Sequence, residues 1–378
     1  MPNAAPDTHL PKVLHLRSAC GFYGAEGVIY GLVRAYAGKS ATVCFADSRG
    51  PHVELCDALA RDGFETDALV TRGTVDPLAP GRLWAILRRR RPDVIHAHDF
   101  KSAVAAVLAG GRRGLVFTVH GDLRETVGSA ALRSLGCWAL RRFHSVAAVS
   151  ASTAADAREF GVLPERICLI RNGVDVCRFR PTEDRAAARA ALGIPPDGFL
   201  IGAVGRLSEE KGHAILLDAF AALSQTNPTV RLAIAGDGPL MESLKEQATA
   251  LGLRERVVFL GRREDAPAVY HALDALAQPS LREGLPLTVA EAGASGLPVV
   301  STDVGDVSAV VVDGQTGYLA PPGEPAALAA ALARLISAPD IAAAMGSAAR
   351  RHVEERFAVA RVANQYAKLY AAAAEAAR

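Results

Sequence analysis

The chain has 378 residues, of which 50% are hydrophobic and 22% charged, a composition typical of a folded globular protein rather than a disordered one. Its net charge of +2 gives no argument for binding nucleic acid through bulk charge. The length exceeds what one hydrophobic core usually holds, so two domains are expected. The first 180 residues are net basic, which would suit an anionic acceptor or a membrane surface.

Targeting signals and cysteine spacing predict a cytoplasmic protein. No apolar stretch approaches the length that spans a bilayer, and residues 1–12 lack the apolar core of a signal peptide. None of the six cysteines forms a CxxC pair, so no zinc or other metal site is predicted. The cysteines are Cys20, Cys44, Cys56, Cys137, Cys168 and Cys177. Two basic, partly apolar helices, at 82–91 and 132–143, are candidates for peripheral membrane contact; ordinary helices with a solvated arginine face are the alternative.

In the first half of the chain, apolar β-forming runs alternate with segments that suit helices. Strands are predicted at 12–16, 42–46, 93–97, 115–119 and 145–149, and helices at 27–37, 83–90 and 102–108. Strands that are apolar throughout and are joined by helices indicate a parallel sheet covered on both faces. This pattern predicts a doubly wound α/β domain.

The same pattern restarts near residue 198. Strands are predicted at 199–204, 231–235, 257–260, 275–278 and 298–301, and helices at 214–223, 239–251 and 286–294. We therefore predict an α/β protein of two facing Rossmann-like domains, 1–176 and 177–356, with a C-terminal helix at 357–378 that packs back on the first. Ligands of open α/β sheets bind beyond the carboxyl ends of the strands, so a cleft between the domains is the expected site.

Two cations follow the first strand of the second domain. Arg206 emerges at the end of the strand, and Lys211 lies at the mouth of the next helix. Together with the helix N-terminus they would suit a diphosphate. An ordinary surface pair beside Glu209 and Glu210 is an equally good interpretation of the spacing alone.

Two carboxylates accompany a later helix. Glu283 and Gly284 lie on the loop after a strand, Pro286 suits the first turn of the helix, and Glu291 falls within it. Carboxylates so placed can accept hydrogen bonds from the hydroxyls of a sugar or a ribose. Taken in isolation, Glu283 is better explained as a residue that complements the helix dipole, and Glu291 as a surface residue.

Strand ends of the first domain supply further candidates. His120 follows the predicted strand at 115–119, and His96, His98 and Asp99 lie at and just after the strand at 93–97. A lone histidine is usually structural, but a histidine at the edge of the expected cleft favours a functional role. No hydrolase triad can be assembled around His120.

Taken together, these motifs resemble the family-4 retaining glycosyltransferases of GT-B fold. The resemblance covers nearly the whole chain, and its best-known element is a pair of glutamates with seven residues between them, here Glu283 and Glu291. The matching segments are Gly205-Arg206 with Lys211-Gly212, Gly236-Asp237-Gly238-Pro239, Gly261, and Glu283-Gly284-Leu285-Pro286 with Glu291. Gly24-Ala25-Glu26 and Val119-His120-Gly121-Asp122 are similar to two segments of the family's first domain.

The resemblance implies a role for each matching residue. Arg206 and Lys211 would bind the donor pyrophosphate, Glu283 the donor sugar, and Glu291 the ribose. The remaining donor-binding positions would act mainly through their backbone: Gly24, Gly205, Gly261, Arg262, Gly284, Leu285 and Leu287. His120 would face the transferred sugar, and Gly21, His98 and Asp99 are acceptor-side candidates.

A metal ion and other cofactors are not expected, because Arg and Lys can stabilise the leaving diphosphate and no Asp-x-Asp suitable for a divalent ion is present. The co-substrates would be a UDP- or GDP-linked sugar and a glycan or lipid-linked acceptor, as in the assembly of cell-surface polysaccharide or glycolipid. Asp306 and Ala309 depart from the family pattern in a loop expected near the donor, which leaves the sugar open.

Two other functions remain open from the sequence. A nucleotide-sugar 2-epimerase would share the fold, although the segment from Glu283 to Glu291 favours the transferase. A non-catalytic protein that holds a glycan or nucleotide sugar would be expected to lack Arg206, Lys211 or Glu283, and all three are present.

Overall fold

The computed structural model describes residues 10–18, 24–47, 53–71, 76–121, 123, 130–182 and 184–378. The chain divides into two compact units. Unit 1 comprises Met1–Gly173 and Val359–Arg378, and unit 2 comprises Val174–Ala358. The predicted domain limits, at 176 and 356, lie within three residues of these divisions.

The sheet of unit 1 has seven parallel strands in the order β3-β2-β1-β4-β5-β6-β7. The strands are β1 (Val13–Ser18), β2 (Ser40–Asp47), β3 (Glu65–Thr71), β4 (Val94–Ala97), β5 (Gly114–Val119), β6 (Ser145–Ala148) and β7 (Ile167–Leu169). The connecting helices are α1 (Gly24–Ala35), α2 (Glu54–Arg61), α3 (Ala79–Arg90), α4 (Phe100–Ala109), α5 (Ala130–Leu140) and α6 (Ala151–Glu159). The order reverses between β1 and β4, which makes this the switch point of the sheet.

The sheet of unit 2 has six parallel strands in the order β10-β9-β8-β11-β12-β13, with its switch point between β8 and β11. The strands are β8 (Leu200–Val204), β9 (Arg231–Ala235), β10 (Val257–Gly261), β11 (Ala275–Gln278), β12 (Val299–Thr302) and β13 (Gly317–Ala320). The helices are α7 (Arg185–Ala191), α8 (His213–Thr226), α9 (Met241–Ala250), α10 (Ala266–Ala272), α11 (Leu287–Ala294), α12 (Pro325–Ser337) and α13 (Pro339–Phe357). The expected pair of doubly wound sheets is confirmed.

Three strands were absent from the sequence-based prediction: β3, β7 and β13. All three lie at sheet edges. In β3 exposed and buried residues mix, and β7 and β13 have only three and four residues, so none forms a long apolar run. The strand predicted as the third is therefore β4, which contains His96 and is followed by His98.

The C-terminal segment returns to unit 1. The helix predicted at 357–378 is α14 (Val359–Ala376), and Ala358, which leaves the helical conformation, separates it from α13. Helix α14 packs against β5, β4 and α1. Its buried face includes Tyr366 and Tyr370, which cover the polar side chains of the sheet beneath them.

No single helix in the described part of the chain is long and apolar enough to cross a membrane. One bent pair, Pro325–Ser337 with Pro339–Phe357, passes the same test by length and composition only.

The packing of α14 generates a stability prediction. Tyr370 is 0% exposed, and its hydroxyl lies 2.8 Å from Nδ1 of His96. We expect Tyr370→Ala to lower the free energy of unfolding by about 3–5 kcal/mol through cavity formation. Tyr370→Phe should lower the free energy of unfolding by about 1–3 kcal/mol, because it removes a hydrogen-bond partner of the buried His96 imidazole.

Urea unfolding followed by circular dichroism measures both effects. Glu375→Ala, on the exposed side of the same helix, is the matched control and should change stability by less than about 0.5 kcal/mol. A Tyr370→Ala protein as stable as the wild type would contradict the docking of α14.

Candidate functional site

In each unit, some of the predicted site residues lie at the carboxyl ends of the strands that flank the switch point. In unit 2, Arg206 follows β8, and Glu283 lies on the loop after β11. In unit 1, Ser18 ends β1, and His98 follows β4. Since neighbouring strands are parallel, their carboxyl ends open at the same edge of the sheet, where ligands of such sheets bind.

Lys211 and Glu283 meet in an ion pair in unit 2. Lys211 Nζ lies 2.7 Å from Glu283 Oε1, although the residues are 72 positions apart. The same oxygen accepts hydrogen bonds from Ser280 Oγ at 2.7 Å and from Gln278 Nε2 at 3.0 Å. Three donors therefore fix one carboxylate oxygen of Glu283. The side chain of Glu283 is only 7% exposed.

The other carboxylate oxygen is differently placed. Glu283 Oε2 makes no hydrogen bond within the described part of the chain. Gln278 is itself held by Thr288 Oγ1, which donates to Gln278 Oε1 at 3.0 Å. The carboxylate is thus anchored by one oxygen and has the other available as an acceptor. An ammonium group has three donors, so Lys211 can also bind an anion while it holds Glu283.

Two glycines allow the loops to approach Glu283 this closely. Gly212 has φ +66°, and a Cβ there would lie 2.1 Å from the carbonyl oxygen of Pro279. Gly305 has φ +59°, and a Cβ there would lie 2.2 Å from the carbonyl oxygen of Glu283. Any side chain at either position would push a loop away, so the sequence requires glycine at both.

Glu291 lies on α11 and is half-buried. Tyr270 donates a hydrogen bond to Glu291 Oε2 at 2.7 Å. Burial raises the pKa of Glu291 above its ordinary value of 4.5, although the Tyr270 hydroxyl and the positive charge of Arg178 oppose this. The pair holds a second carboxylate at a defined position in unit 2.

The other predicted donor-side residues lie on surrounding loops. Arg206 is exposed just after β8, Gly261 ends β10, and Arg262 is exposed beyond it. Residues Gly284, Leu285 and Leu287 lead into α11, and within the described part of the chain no side chain caps this helix at Pro286. Its first amide groups are therefore suited to an anion. Gly205 connects β8 to Arg206.

Sequence reasoning missed several residues of this site. Gln278 and Ser280 orient Glu283, and Tyr270 orients Glu291, as the distances above show. His213, the first residue of α8, is 3% exposed, and its Nδ1 atom is buried without a partner among the described residues. Burial lowers the pKa of His213 to about 4, a shift to which Lys211 also contributes. The only feature of the sequence that could have indicated these residues is that His213 lies two positions after Lys211 and Ser280 lies three positions before Glu283.

In unit 1, His120 is the end of a row of imidazoles. His98 Nδ1 lies 2.9 Å from His120 Nε2, and His98 Nε2 lies 3.1 Å from Nδ1 of His15. Both ring nitrogens of His98 thus contact another histidine, so neither is available to a ligand while these hydrogen bonds are in place. His15 gave no sequence signal because it lies in the middle of β1, between Leu14 and Leu16, and not at the end of the strand.

His96 belongs to a second polar row on the same face of the sheet. Its Nδ1 lies 2.8 Å from the Tyr370 hydroxyl and its Nε2 lies 2.7 Å from Thr118 Oγ1, which in turn lies 2.9 Å from the Tyr366 hydroxyl. The ring of His96 packs on that of His98 with centroids 3.9 Å apart. The rings of His15 and His96 both pack against Tyr370 of α14.

Ring nitrogens of His15, His96 and His98 lie within 4.8 Å of one another, close enough to share a metal ion. His96 and His98, however, already use both nitrogens in hydrogen bonds, so an ion would have to break them. The geometry favours a hydrogen-bonded cluster over a metal centre.

Asp99 caps a helix. Its Oδ1 accepts the backbone N–H of Ser102, in the first turn of α4, at 2.9 Å, and its Oδ2 accepts the backbone N–H of Ser18 at 2.6 Å. Beside it, Arg17 donates to the carbonyl of His98 at 2.9 Å and to Glu26 Oε1 at 2.8 Å. Asp99 therefore ties the end of β1 to the start of α4. Gly24 begins α1 and is exposed, whereas Gly21 lies outside the described residues.

The two basic helices differ. On α3, Trp84 is 50% exposed and Arg88 stacks on it at 4.8 Å. Along α5 and just beyond it, an open cavity of about 540 Å³ is lined by arginines and an aromatic ring. The lining residues are Arg133, Ser134, Cys137, Trp138, Arg141 and Arg142.

The histidine cluster predicts acid sensitivity. Burial lowers the pKa of His15 and His120 to about 3 and holds those of His96 and His98 well below the ordinary value of 6.5. The unfolded chain therefore binds protons below pH 6.5 that the folded chain excludes, and stability falls as the pH drops from 6.5 toward 3. Between pH 7.5 and 5.5, we expect a loss of about 1.4 kcal/mol per buried histidine.

Urea unfolding at both pH values tests this expectation. His15→Asn should reduce the loss by about 1.4 kcal/mol, whereas the half-buried His271 in unit 2, changed to Gln, serves as the control. Equal free energies of unfolding at pH 7.5 and 5.5 would contradict the neutral, buried cluster.

Two family models match the chain. The model described as Glycosyltransferase Family 4 covers residues 22–178, and that described as Glycosyl transferases group 1 covers residues 184–352. The matches follow one another along the chain and include Lys211, Glu283 and Glu291 of unit 2 and His98 and His120 of unit 1, whereas His15 lies before the first match.

Curated relatives and a solved structure extend these matches. The chain is 34% identical over 264 residues to the lipopolysaccharide core biosynthesis mannosyltransferase LpsB of Rhizobium meliloti (strain 1021), covering 68% of this chain and 71% of that protein. It is 32% identical over 297 residues to the D-inositol 3-phosphate glycosyltransferase of Streptomyces scabiei (strain 87.22), covering 72% of this chain and 66% of that protein. The crystal structure of Anabaena HepE in complex with UDP-glucose has a TM-score of 0.83 at 28% identity, covering 95% of this chain and 99% of that one. Among such curated relatives, the chain spans from 50% to 71% of their length.

Proposed function

Because the chain belongs to the family-4 glycosyltransferases, we propose that it moves a hexosyl-type sugar from a UDP- or GDP-linked donor to a glycan or lipid-linked acceptor, with retention of anomeric configuration. The single observation that carries this proposal is the Lys211–Glu283 pair, in which one carboxylate oxygen is fixed and the other is available. The complex of HepE with UDP-glucose and the name of LpsB as a mannosyltransferase support a hexosyl donor.

The donor diphosphate is assigned to the cations and amides at the switch point of unit 2. Lys211 lies beside the loop after β11, Arg206 follows β8, and the N-terminus of α11 begins after Pro286. When the bond between the sugar and the diphosphate breaks, negative charge grows on the phosphate oxygens. Positioned cations and amide dipoles stabilise that charge more strongly in the transition state than before it. In this proposal they make a divalent ion unnecessary.

Glu283 is assigned to the sugar. The fixed oxygen, Oε1, sets the direction of Oε2, which then accepts a hydrogen bond from a sugar hydroxyl. A carboxylate near the reacting carbon also stabilises the positive charge of an oxocarbenium-like transition state. The acceptor oxygen bonds to the anomeric carbon as the leaving diphosphate departs, and the acceptor proton passes to the released phosphate oxygen.

Glu291 is assigned to the ribose and the loop at Gly261 and Arg262 to the base. Tyr270 leaves one oxygen of Glu291 for ribose hydroxyls, because its own hydrogen bond uses Oε2. In unit 1, His120 is assigned to the transferred sugar. The exposed Trp84 and the arginine-lined cavity at α5 suit an anionic or lipid-linked acceptor, as on the cytoplasmic face of a membrane.

Nucleotide binding tests the proposal. Thermal unfolding is measured with a panel of UDP, GDP, ADP and their hexose conjugates, with EDTA present. At about 100 times its dissociation constant, the cognate nucleotide should stabilise the protein by about 2.7 kcal/mol. Glu291→Ala should weaken binding by about 1–3 kcal/mol, since ribose hydroxyls lose a charged acceptor.

Glu246→Ala, an exposed glutamate on α9, is the matched control and should bind as the wild type does. Stabilisation by none of the nucleotides would contradict the proposed donor site. Stabilisation that disappears in EDTA would contradict a metal-independent one.

A further inference from the structure

Three histidines of unit 1 form an end-to-end chain of imidazole rings. His15 comes from β1, His98 follows β4, and His120 follows β5, so the chain crosses neighbouring strands at the switch point. The contacts join His15 Nδ1 to His98 Nε2 at 3.1 Å, and His98 Nδ1 to His120 Nε2 at 2.9 Å. Each contact joins a δ nitrogen to an ε nitrogen, so all three rings are linked in the same sense.

All three rings are neutral near pH 7. His15 is 0% and His98 3% exposed, and no carboxylate hydrogen-bonds to any of the three rings in the described part of the chain. Burial, with the nearby Arg17 guanidinium adding to it for His98 and His120, lowers the pKa of each imidazole far below 7. A neutral imidazole has one N–H and one lone pair, and each contact needs one of each.

Neutrality makes the tautomers interdependent. If His98 donates through Nδ1, its Nε2 must accept from His15 Nδ1–H, and all three rings carry their proton on Nδ1. If His98 donates through Nε2, all three carry it on Nε2. Only these two states satisfy both contacts, and they leave different groups at the two ends of the chain.

The inner end distinguishes the two states. His15 Nε2 is buried and has no hydrogen-bond partner among the described residues. Either state leaves one N–H without a partner at an end of the chain, and buried N–H groups without a partner are rare. His15 is 0% exposed, whereas His120 is half-buried just after β5, where an acceptor can reach its ring, so the lone pair belongs at the His15 end. The proton of His15 then lies on Nδ1, and the polarity of the whole chain follows.

The outer end is the unpartnered Nδ1 of His120, which is also shielded from solvent. We propose that His15 and His98 are positioning residues that fix His120 as the Nδ1–H tautomer, a neutral donor whose acceptor is an oxygen of the bound sugar. This assignment rests on the proposed transferase function for the identity of the ligand. The polarity of the chain requires only that an acceptor, whether water or a ligand, reach Nδ1 of His120.

Ring nitrogens of ¹⁵N-histidine-labelled protein report the tautomers directly in long-range ¹H–¹⁵N spectra at pH 7.5. Each ring is assigned by the signal lost in a single His→Gln variant. His15, His98 and His120 should all be Nδ1–H. His144 is a built-in reference, because its Nδ1 accepts the N–H of Leu115 at 2.9 Å and its proton must therefore lie on Nε2. Three rings protonated on Nε2, or rings of mixed polarity, would overturn the proposal.

The positioning role has its own test in His98→Gln. The His120 ring should lose its pure Nδ1–H signature while the His144 signals stay unchanged, which shows that unit 1 remains folded. Donor turnover should fall about tenfold, as for the loss of one hydrogen bond, with nucleotide binding to unit 2 retained. His144→Gln is the matched control for turnover.

An unchanged His120 tautomer in His98→Gln refutes the positioning role. The two proposals also fail separately. If the spectra show the Nδ1–H chain but no nucleotide binds, the donor site is wrong and the chain polarity stands. If nucleotides bind but the rings are Nε2–H, the transferase proposal stands and the tautomer assignment is wrong.

Discussion

The donor-side site depends on how one carboxylate oxygen is held. Glu283 Oε1 accepts from Lys211, Ser280 and Gln278, which come from both sides of the switch point between β8 and β11. Three hydrogen bonds to one oxygen compensate the burial of the carboxylate and leave no freedom in its orientation. Because the loops must come within contact distance for this to occur, glycine is required at residues 212 and 305.

A different constraint organises unit 1. Polar side chains of the central strands lie under α14, a helix from the far end of the chain. Tyr366 and Tyr370 satisfy Thr118 and His96, which would otherwise be buried without partners. The remaining imidazoles satisfy one another in a row that ends at His120. Helix α14 therefore completes the hydrogen bonding of the site face as well as covering the sheet.

Much of the fold could be predicted from the sequence because the central strands are buried on both faces. Strands β9 and β11 have the predicted bounds, since Arg231–Ala235 and Ala275–Gln278 are almost wholly apolar. The edge strand β3 was missed because it begins with the polar residues Glu65, Thr66 and Asp67 and so forms no continuous apolar run. The break at Ala358 gave no signal, since neither glycine nor proline lies between α13 and α14.

Residues of the candidate site could be predicted only where they belong to a recognisable motif or lie at the end of a predicted strand. The resemblance to the family pointed to Lys211, Glu283 and Glu291, and strand ends pointed to His98 and His120. The residues that orient them were not predictable in the same way. His96 and Tyr370, for example, are 274 positions apart, and no local pattern links them. Nor does any pattern show that Asp99 caps α4 rather than facing a ligand.

The most direct test of the account is a single-turnover measurement of donor cleavage with Glu283→Gln, using the nucleotide sugar that stabilises the wild type most. Glutamine keeps the size of the side chain but removes the negative charge. That charge pairs with Lys211 and, in the proposed mechanism, stabilises the positive charge that develops on the sugar. The account predicts a rate reduced by about 100-fold or more, with the dissociation constant of the free nucleotide changed by less than about threefold. Glu246→Gln should cleave the donor at the wild-type rate. A Glu283→Gln protein that also cleaves at the wild-type rate would contradict the account.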